Sequence, residues 1–217
     1  MTTLIEQAHR EYYRSVDWRH DVTYLGVPLL KDPRDLWVEQ ELIYRTRPNV
    51  IIETGTAYGG SALFYSNLFD QLGYSGLVVS IDSGKNTYVP ADYKRPVRQG
   101  IIYLGGDSAG LDTFSTAIAC IHGRFPYPRI MVVLDSDHHA EHVYQELKLW
   151  APLVMVGGHC VVEDTNAFIV ARDEYPEGGP PAAIQRFLRE TTVFQVDEAM
   201  NKFGLTFNTG GYLKRVR

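Results

Sequence analysis

Residues 49–82, NVIIETGTAYGGSALFYSNLFDQLGYSGLVVSID, contain the pattern that decides the fold. An apolar run ends in an acidic residue and leads into a glycine-rich turn. A segment of helical periodicity follows, and a second apolar run again ends in an acidic residue. A strand, a tight turn, a helix and a second strand in this order are typical of a βαβ unit. The segment therefore predicts the start of a parallel sheet.

The same alternation continues towards the C-terminus. Apolar runs at GIIYLGGD, RIMVVLD and GHCVVED are separated by the amphipathic segments LDTFSTAIACIHG and AEHVYQELKLWAPLV. A long loop, a helical segment AAIQRFLRET and two final runs, VFQVDE and LTFNTGGYLKRVR, complete the chain. Continuous Val/Ile/Leu runs between amphipathic helices indicate strands that are covered on both faces. We predict an α/β fold: a doubly wound, mostly parallel, Rossmann-like sheet with helices on both faces.

The domain organisation follows from the same pattern. Residues 1–48 are predicted to form an N-terminal helical extension packed on the core, with helical patterns around IEQAHREYYRS and DLWVEQELIYRT. Asp35 is the expected N-cap of the second of these helices. Residues 49–217 are predicted to form the single functional domain, because 217 residues are enough for one α/β domain and few for two.

One connection, residues 165–181, is longer than is usual in α/β units. It is expected to be a lid or a binding loop, with a disordered insertion as the alternative. Gly178 and Gly179 are the expected hinge, and Pro180 and Pro181 the expected rigid stop before the next helix.

Composition narrows the class of partner. The net charge is -5 and the basic residues are scattered, whereas binding to nucleic acid requires a positive stripe. No apolar stretch reaches the about 20 residues needed to cross a bilayer, and the first residues lack the apolar region of a secretory signal. We expect a cytoplasmic protein with a small-molecule substrate, without a nucleic-acid or membrane partner, and a homo-oligomeric assembly.

Polar residues at the carboxyl ends of the strands mark the first candidate site. Glu53 closes the first strand of the βαβ unit, where an acidic residue favours a cationic group. The turn that follows is not G-x-G-x-x-G, because Ala57 stands at the second glycine position, and this weakens a nicotinamide-dinucleotide assignment. Asp82 is placed to bind ribose hydroxyls, and Asp107 and Ser108 an adenine edge. The alternative is that these carboxylates cap the helices that follow.

The next two strand ends predict a second site. They read LDSDHH and VVEDT, and if the strands are neighbours their ends lie about 5 Å apart. Asp135, Glu163 and Asp164 would then repel one another unless a cation lies among them. Oxygen ligands alone suit Mg²⁺ or a similar hard divalent ion. The alternative makes Asp137 or Asp164 a helix cap and leaves Glu163 solvated.

Four histidines accompany these carboxylates. His138, three residues after Asp135, is the expected general base, because neutral imidazole titrates near the working pH. His139 and His142 are expected on the surface or in packing, and zinc ligation by the three is a weaker alternative without thiolates. His159 is expected to be a satisfied core histidine.

The stretches IIETGTAYGGSALFYSNL, LDSDHHAEHVYQEL, APLVMVGGHCVVEDT and GGYLKRV together resemble the cephalosporin hydroxylase family, which is similar to the rhamnosyl and macrolide-sugar O-methyltransferases. The N-terminal LGVPLLKDPRDLWVEQELI shares the resemblance, which covers about residues 20–217. It implies a Mg²⁺ ion held by Asp135, Glu163 and Asp164, and places His138 where the sugar-methylating relatives have their proposed base. With the turn residues it implies that S-adenosylmethionine (SAM) binds at the following residues: Glu53, Gly55, Thr56, Tyr58, Gly60, Ser61, Asp82, Asp107 and Ser108.

These observations predict a metal-dependent O-methyltransferase that uses SAM and acts on a hydroxyl of a small molecule, either a sugar or a natural-product intermediate. His138 is the expected base, and Asp135 could serve instead while ligating the metal. Two alternatives remain at this point. One is a role in an oxidative step such as cephem hydroxylation or methoxylation, and the other is a non-catalytic SAM-binding protein. The departure Ser136-Asp137 from some relatives leaves room for Asp137 in the metal shell.

Overall fold

The computed structural model describes residues 4–85, 87–171 and 173–217, and the side chains of residues 167 and 168 are not described. The helices are α1 Leu4–Ser15, α2 Pro33–Thr46, α3 Gly60–Gln71, α4 Leu111–Arg124, α5 Ala140–Trp150, α6 Ala167–Val170 and α7 Gly179–Glu190. The strands are β1 Thr23–Tyr24, β2 Val27–Pro28, β3 Val50–Thr54, β4 Leu77–Asp82, β5 Ile101–Gly105, β6 Ile130–Leu134, β7 His159–Val162, β8 Phe194–Val196 and β9 Tyr212–Arg215. Short 3₁₀ turns lie at Ala151–Leu153 and Glu198–Met200.

A seven-stranded sheet forms the centre, in the order β5-β4-β3-β6-β7-β9-β8. The strands from β5 to β7 are parallel to their neighbours, and β9 is antiparallel to both β7 and β8. The order reverses between β3 and β6, which is the topological switch point where doubly wound folds bind ligands. The predicted mostly parallel α/β sheet is confirmed.

The sheet is covered on both faces, as the apolar runs predicted. One hydrophobic core packs α4, α5 and α7 against one face, with the fully buried Trp150 among its largest side chains. The other core packs α2 and α3 against the opposite face around Tyr65 and Tyr212. No helix in the described part of the chain is both long and apolar enough to span a membrane.

The start of α2 differs from the sequence prediction. The N-cap is Asp32, whose Oδ1 accepts a hydrogen bond from the backbone N of Arg34 at 2.8 Å, with Pro33 in the first turn. The prediction that Asp35 caps this helix was wrong. Asp35 is buried, and its carboxylate accepts hydrogen bonds from Thr206, from the Phe207 backbone N and from the Tyr212 hydroxyl. It therefore binds the segment before β9 to the N-terminal part of the chain.

Two boundaries near the C-terminus also differ. The last run was predicted as one strand, but only Tyr212–Arg215 forms a strand, β9. The residues before it form a loop that ends at Gly210 and Gly211 and donates hydrogen bonds to Asp35. Helix α7 begins at Gly179, so Pro180 and Pro181 lie in its first turn and do not precede it. Proline is tolerated there because a first-turn N–H has no partner within the helix.

Gly55 brings the two central strands into contact at the switch point. Its φ of 86° is in the left-handed region, and a Cβ on this residue would lie 1.7 Å from the backbone oxygen of Asp135. Only glycine satisfies both conditions. The turn after β3 and the end of β6 therefore pack backbone to backbone, and the two predicted sites share one wall.

We expect Gly55→Ala to lower the free energy of unfolding by more than about 2 kcal/mol, because the added methyl meets backbone that cannot move aside. Gly123→Ala is the matched control: this glycine lies in α4 with nothing within 4 Å of its would-be Cβ. The control should gain up to about 1 kcal/mol from helix propensity. Urea unfolding measures both variants, and equal stability of Gly55→Ala and wild type would contradict the packing described.

Candidate active site

The inner end of the first predicted site is a buried acidic pocket at the end of β3. Glu53 is fully buried, and its Oε2 accepts a hydrogen bond from Ser80 Oγ at 2.6 Å. Its Oε1 is buried without a hydrogen bond from any described residue. Burial raises the pKa of Glu53 to about 7. Thr56 Oγ1 lies 2.7 Å from Ser80 Oγ, so the turn is bonded to the same cluster.

Asp82 closes β4 directly over the glycine-rich turn. Its Oδ2 accepts a hydrogen bond from the Ala57 backbone N at 3.0 Å and pairs with the Arg95 guanidinium at 3.0 Å. Its Oδ1 accepts from the Gly84 backbone N at 2.7 Å. Arg95 also donates to the Ala57 backbone O at 2.8 Å, so this side chain lies across the edge of the turn.

The other predicted residues of this site separate into two groups. Gly60 and Ser61 begin α3 and line a small cavity with the turn, where the Tyr58 hydroxyl donates to the Tyr88 backbone O at 2.7 Å. At the end of β5, Ser108 is buried, and its Oγ lies 3.1 Å from His142 Nε2. Asp107 is exposed, and its carboxylate accepts a hydrogen bond from the Ala109 backbone N at 3.0 Å. It does not cap α4, whose N-cap is Gly110, so the capping alternative was wrong for this residue.

The strand ends of the second site are adjacent, as predicted. Strands β6 and β7 are parallel neighbours, with Leu134 opposite Val162, so Asp135 and Glu163 follow at the same level. One ligand atom each from Asp135, His138 and Asp164 lies within 4.8 Å of the others. His138 Nε2 is 3.6 Å from Asp135 Oδ1 and 3.5 Å from Asp164 Oδ2. The structure brings these three together on the partly exposed side of the cluster.

Glu163 lies on the inner side of the cluster, against a lysine. Lys31 Nζ is 2.7 Å from Glu163 Oε1 and 2.8 Å from Asp135 Oδ2. The side chains of Lys31 and Glu163 are only 3% and 4% exposed, against 16% for Asp135 and 25% for Asp164. The mutual repulsion of these acids predicted a cation among them, and Lys31 is one such cation that the sequence reasoning missed.

The charges of this cluster shift several pKa values. Burial alone lowers the pKa of Lys31, but Asp135 and Glu163 raise it well above its ordinary value, so the side chain is an ammonium. Burial opposes the charge of His138 too, yet the carboxylates of Asp135 and Asp164 raise its pKa to about 9. Burial, followed by the charge of Glu163, raises the pKa of Glu39, which is buried beside Glu163 and favours its neutral form.

The loop before β9 determines where Asp164 lies. Asp164 has a φ of 51°, and its backbone N donates to Asn208 Oδ1 at 3.1 Å. The next residue, Thr165, donates from Oγ1 to the backbone O of Phe207 at 3.0 Å. The carboxylate of Asp35 accepts hydrogen bonds from Thr206 and Phe207 in this loop. Hydrogen bonds with the C-terminal segment therefore support the left-handed conformation of Asp164, which lies beyond the end of β7.

The remaining residues around the second site have structural partners. Asp137 is exposed and lies 2.5 Å from His139 Nδ1, away from the cluster. His142 is partly buried, 3.2 Å from Ser136 Oγ and 3.6 Å from the fully buried Glu146. Three histidines do not converge, so within the described residues the arrangement does not support the zinc alternative. His159 is a buried core histidine as expected, with its Nε2 2.9 Å from Asp197. It is satisfied at that nitrogen only, because its Nδ1 has no hydrogen-bond partner among the described residues.

Tyr175 lies beside the outer side of the carboxylate cluster, and the charges of the cluster act on Tyr13 and Tyr88 from two other segments. The ring of Tyr175 lies 6.2 Å from that of His138, and the first residues of α7 approach the His138 backbone. Burial, with the charge of Asp164 next, raises the pKa of Tyr13 in α1. Burial, with the charge of Asp135 next, raises the pKa of Tyr88 to about 12. The described part of residues 165–181 therefore borders the site, while its motion as a lid stays a prediction.

A larger open groove of about 480 Å³ lies elsewhere, at the far end of α3. Its one acidic residue, Asp70, is paired with Arg98. The groove is not at the carboxyl ends of the parallel strands, where this fold class binds ligands. We therefore place the active site at the ends of β3, β4, β6 and β7.

Sequence reasoning missed Lys31, Arg95, Ser80 and Glu146. Ser80 had a detectable signal, since it is a hydroxyl within the otherwise apolar run LVVSI. Lys31 had none, because its partners Asp135 and Glu163 lie in distant segments. Glu146 had a local signal, since His142 precedes it by four residues on the same helix.

Comparison with known proteins agrees with this geometry. Residues 16–216 match the model of the family described as Rhamnosyl O-methyltransferase/CmcI. A rhamnosyl O-methyltransferase of Mycobacterium leprae (strain TN) is 33% identical over 98% of this chain and 91% of its own length. One from Mycobacterium tuberculosis (strain ATCC 25618 / H37Rv) is 32% identical over 97% and 84%.

Solved structures show the same fold. A CmcI structure with Mg-SAM superposes with a TM-score of 0.63 at 24% identity, over 91% of this chain and 78% of that one. The O-methyltransferase TomG from Streptomyces achromogenes, in complex with SAM, has a TM-score of 0.51 at 17% identity, over 89% and 81%. With the family model covering nearly the whole chain, the protein belongs to the Rhamnosyl O-methyltransferase/CmcI family of O-methyltransferases.

Proposed function

We propose that this protein is a SAM-dependent, metal-dependent O-methyltransferase that methylates a hydroxyl of a small molecule, a sugar or a natural-product intermediate. The observation that carries the proposal is the shared wall between the two sites. Gly55 of the first site packs on the backbone of Asp135 in the second, so a methyl donor in one lies beside an acceptor in the other. Methyl transfer needs this in-line approach of donor and acceptor.

The cofactor half of the proposal rests on three strand ends. The buried Glu53, with one oxygen not hydrogen-bonded by the described residues, suits the cationic methionine end of SAM. Asp82 lies at the end of β4, where its carboxylate can accept hydrogen bonds from ribose hydroxyls. Gly60 and Ser61 open α3, and Asp107 and Ser108 line the expected adenine side. The CmcI structure that holds Mg-SAM has the same fold, which supports this placement.

The metal half rests on the chemistry of the donor set. Asp135 and Asp164 present carboxylate oxygens on the outer side of the cluster, and the buried His138 Nε2 has no hydrogen-bond partner among the described residues. Mg²⁺ prefers such oxygen ligands. The proposal keeps Glu163 as the third ligand, since its contact with Lys31 uses one of its two oxygens. The residues present therefore fit a hard divalent ion, which would polarise the acceptor hydroxyl and lower its pKa.

Within this site the side chains have separate roles. A divalent ion bound to Asp135 and Asp164 would offset the charges that raise the pKa of His138 and so favour its neutral form. In that form His138 would take the proton of the acceptor hydroxyl, whose oxygen would attack the methyl carbon of SAM. The carbon–sulfur bond breaks and its electron pair returns to sulfur, so the products are the methyl ether and S-adenosylhomocysteine. SAM already provides a good leaving group, which leaves orientation and deprotonation to the protein. The Tyr175 ring beside His138 suits the apolar face of a ring-shaped acceptor.

The two alternatives have less support. An oxidative step on iron is typical of a site with two histidines and one carboxylate. The cluster here has one histidine and two carboxylates. A non-catalytic binding protein does not need His138 and the carboxylates next to the wall of the cofactor site, where both are found.

We expect SAM and S-adenosylhomocysteine to bind in the micromolar range and NAD to bind at least about tenfold more weakly, because the turn lacks a pyrophosphate cradle. Asp82→Ala should weaken SAM binding by about 1 to 3 kcal/mol, the range for leaving polar groups unmatched. Asp112→Ala, at an exposed carboxylate of α4, is the control. Titration calorimetry measures all of these, and NAD binding as tight as SAM would refute the cofactor assignment.

Kinetic measurements on variants should distinguish the general base from the metal ligands. Asp135→Ala, or treatment with a chelator, should abolish methyl transfer and change SAM affinity little. His138→Ala should keep the bound metal and lose about 10²- to 10⁴-fold in kcat, the usual range for a general base. His139→Ala, an exposed neighbour, is the control and should keep its rate.

A pH–rate profile at saturating Mg²⁺ decides between the two candidate bases. If His138→Ala keeps the wild-type rate and the same acidic limb, the base is Asp135 and the histidine assignment is wrong.

A further inference from the structure

Lys31 is a deeply buried cation of the site and is outside the predicted ligand set. It lies between β2 and α2, and its side chain is 3% exposed. Its ammonium touches one oxygen of Asp135 at 2.8 Å and one of Glu163 at 2.7 Å. A buried lysine is stable only with partners of opposite charge, so Lys31 and these two acids depend on each other.

The ammonium contacts only one side of the cluster. Asp135 turns Oδ2 to Lys31 and Oδ1 to His138, so a single carboxylate separates an inner from an outer half. The inner half contains Lys31 and Glu163, and the outer half contains Asp164 and His138. A divalent ion that approaches from the outer side meets carboxylates whose inner oxygens are already fixed.

The net charge of the two halves together determines how well the cluster matches a divalent cation. Asp135, Glu163 and Asp164 together contribute three negative charges when ionised, and Lys31 offsets one. With His138 in its neutral form, the remaining two equal the charge of a single divalent cation. Without Lys31 the same buried site would hold an excess negative charge even when one such ion is bound, and burying an uncompensated charge is unfavourable.

We propose that Lys31 is a positioning residue, a built-in counter-cation that offsets part of the charge of Asp135 and Glu163 before a metal binds and leaves the charge that one divalent ion neutralises. The inference rests on the proposed metal-dependent function. Lys31 also limits how tightly the ion is held, because its ammonium repels a dication bound to the same carboxylates.

The experiment compares Lys31→Met with wild type, using Mn²⁺ as the probe at pH 8. Lys202→Met is the matched control, because Lys202 pairs with Glu41 outside the site. Calorimetry should show that Lys31→Met binds Mn²⁺ about tenfold tighter or more, whereas the control binds it as wild type does. A lysine with a merely structural role would not give this result, since loss of local structure weakens metal binding. Unchanged or weaker Mn²⁺ binding by Lys31→Met would overturn the proposal.

A second measurement uses thermal unfolding in excess chelator. Lys31→Met should melt at a lower temperature than wild type, and adding Glu163→Gln to it should recover at least half of that loss, because the double variant removes both charges together. No recovery, including a double variant that fails to fold, would overturn the proposal. If wild type binds no Mn²⁺, the proposed metal-dependent function fails. The unfolding measurements in excess chelator then decide the role of Lys31 by themselves.

Discussion

The contact between Gly55 and the backbone of Asp135 is the constraint on which the rest of the site depends. Strands β3 and β6 are neighbours at the point where the sheet reverses its order, and their ends touch because the residue between them has no side chain. This contact makes one wall common to a cofactor site and a carboxylate site. The chemistry proposed for the protein requires that proximity, since a methyl group moves only over a short distance.

Neutralising buried acids is the second constraint. Glu39, Glu53, Glu146 and Glu163 are all nearly or fully buried, and each is bonded differently. Tyr65 donates to Glu39, Ser80 to Glu53 and Ser136 to Glu146, whereas Glu163 contacts the Lys31 ammonium. Buried carboxyl groups need such partners, because desolvation penalises the charged form. The N-terminal segment therefore supports the candidate active site, since it contributes Lys31 and the buried acids Asp35 and Glu39.

The segment before β9 completes this framework from the other terminus. Asp35 accepts its hydrogen bonds, and Asn208 in turn accepts the backbone N–H of Asp164. Both ends of the chain thus support a carboxylate that lies between them in sequence. The boundary predicted at residue 48 stays a prediction for the domain organisation, but α2 contributes Val38, Leu42 and Ile43 to the second hydrophobic core.

The sequence by itself determined the α/β architecture, the acidic residues at the strand ends and the family. These follow from local periodicity and from the rule that parallel strands end at one edge of the sheet. The sequence predicted that Asp135 and Glu163 are adjacent only if their strands are neighbours, and the structure supplied that pairing. Only the tertiary structure decided which polar groups are in contact: Lys31 with Glu163, Asp35 with the loop before β9, and His142 with Ser108. Asp35 shows why, since its position just before the periodic run LWVEQELIYRT suits a helix cap as well as it suits a buried hydrogen-bond acceptor. Side-chain partners far apart in the chain are chosen by packing and by the need to neutralise buried charge, and neither leaves a local pattern in the sequence.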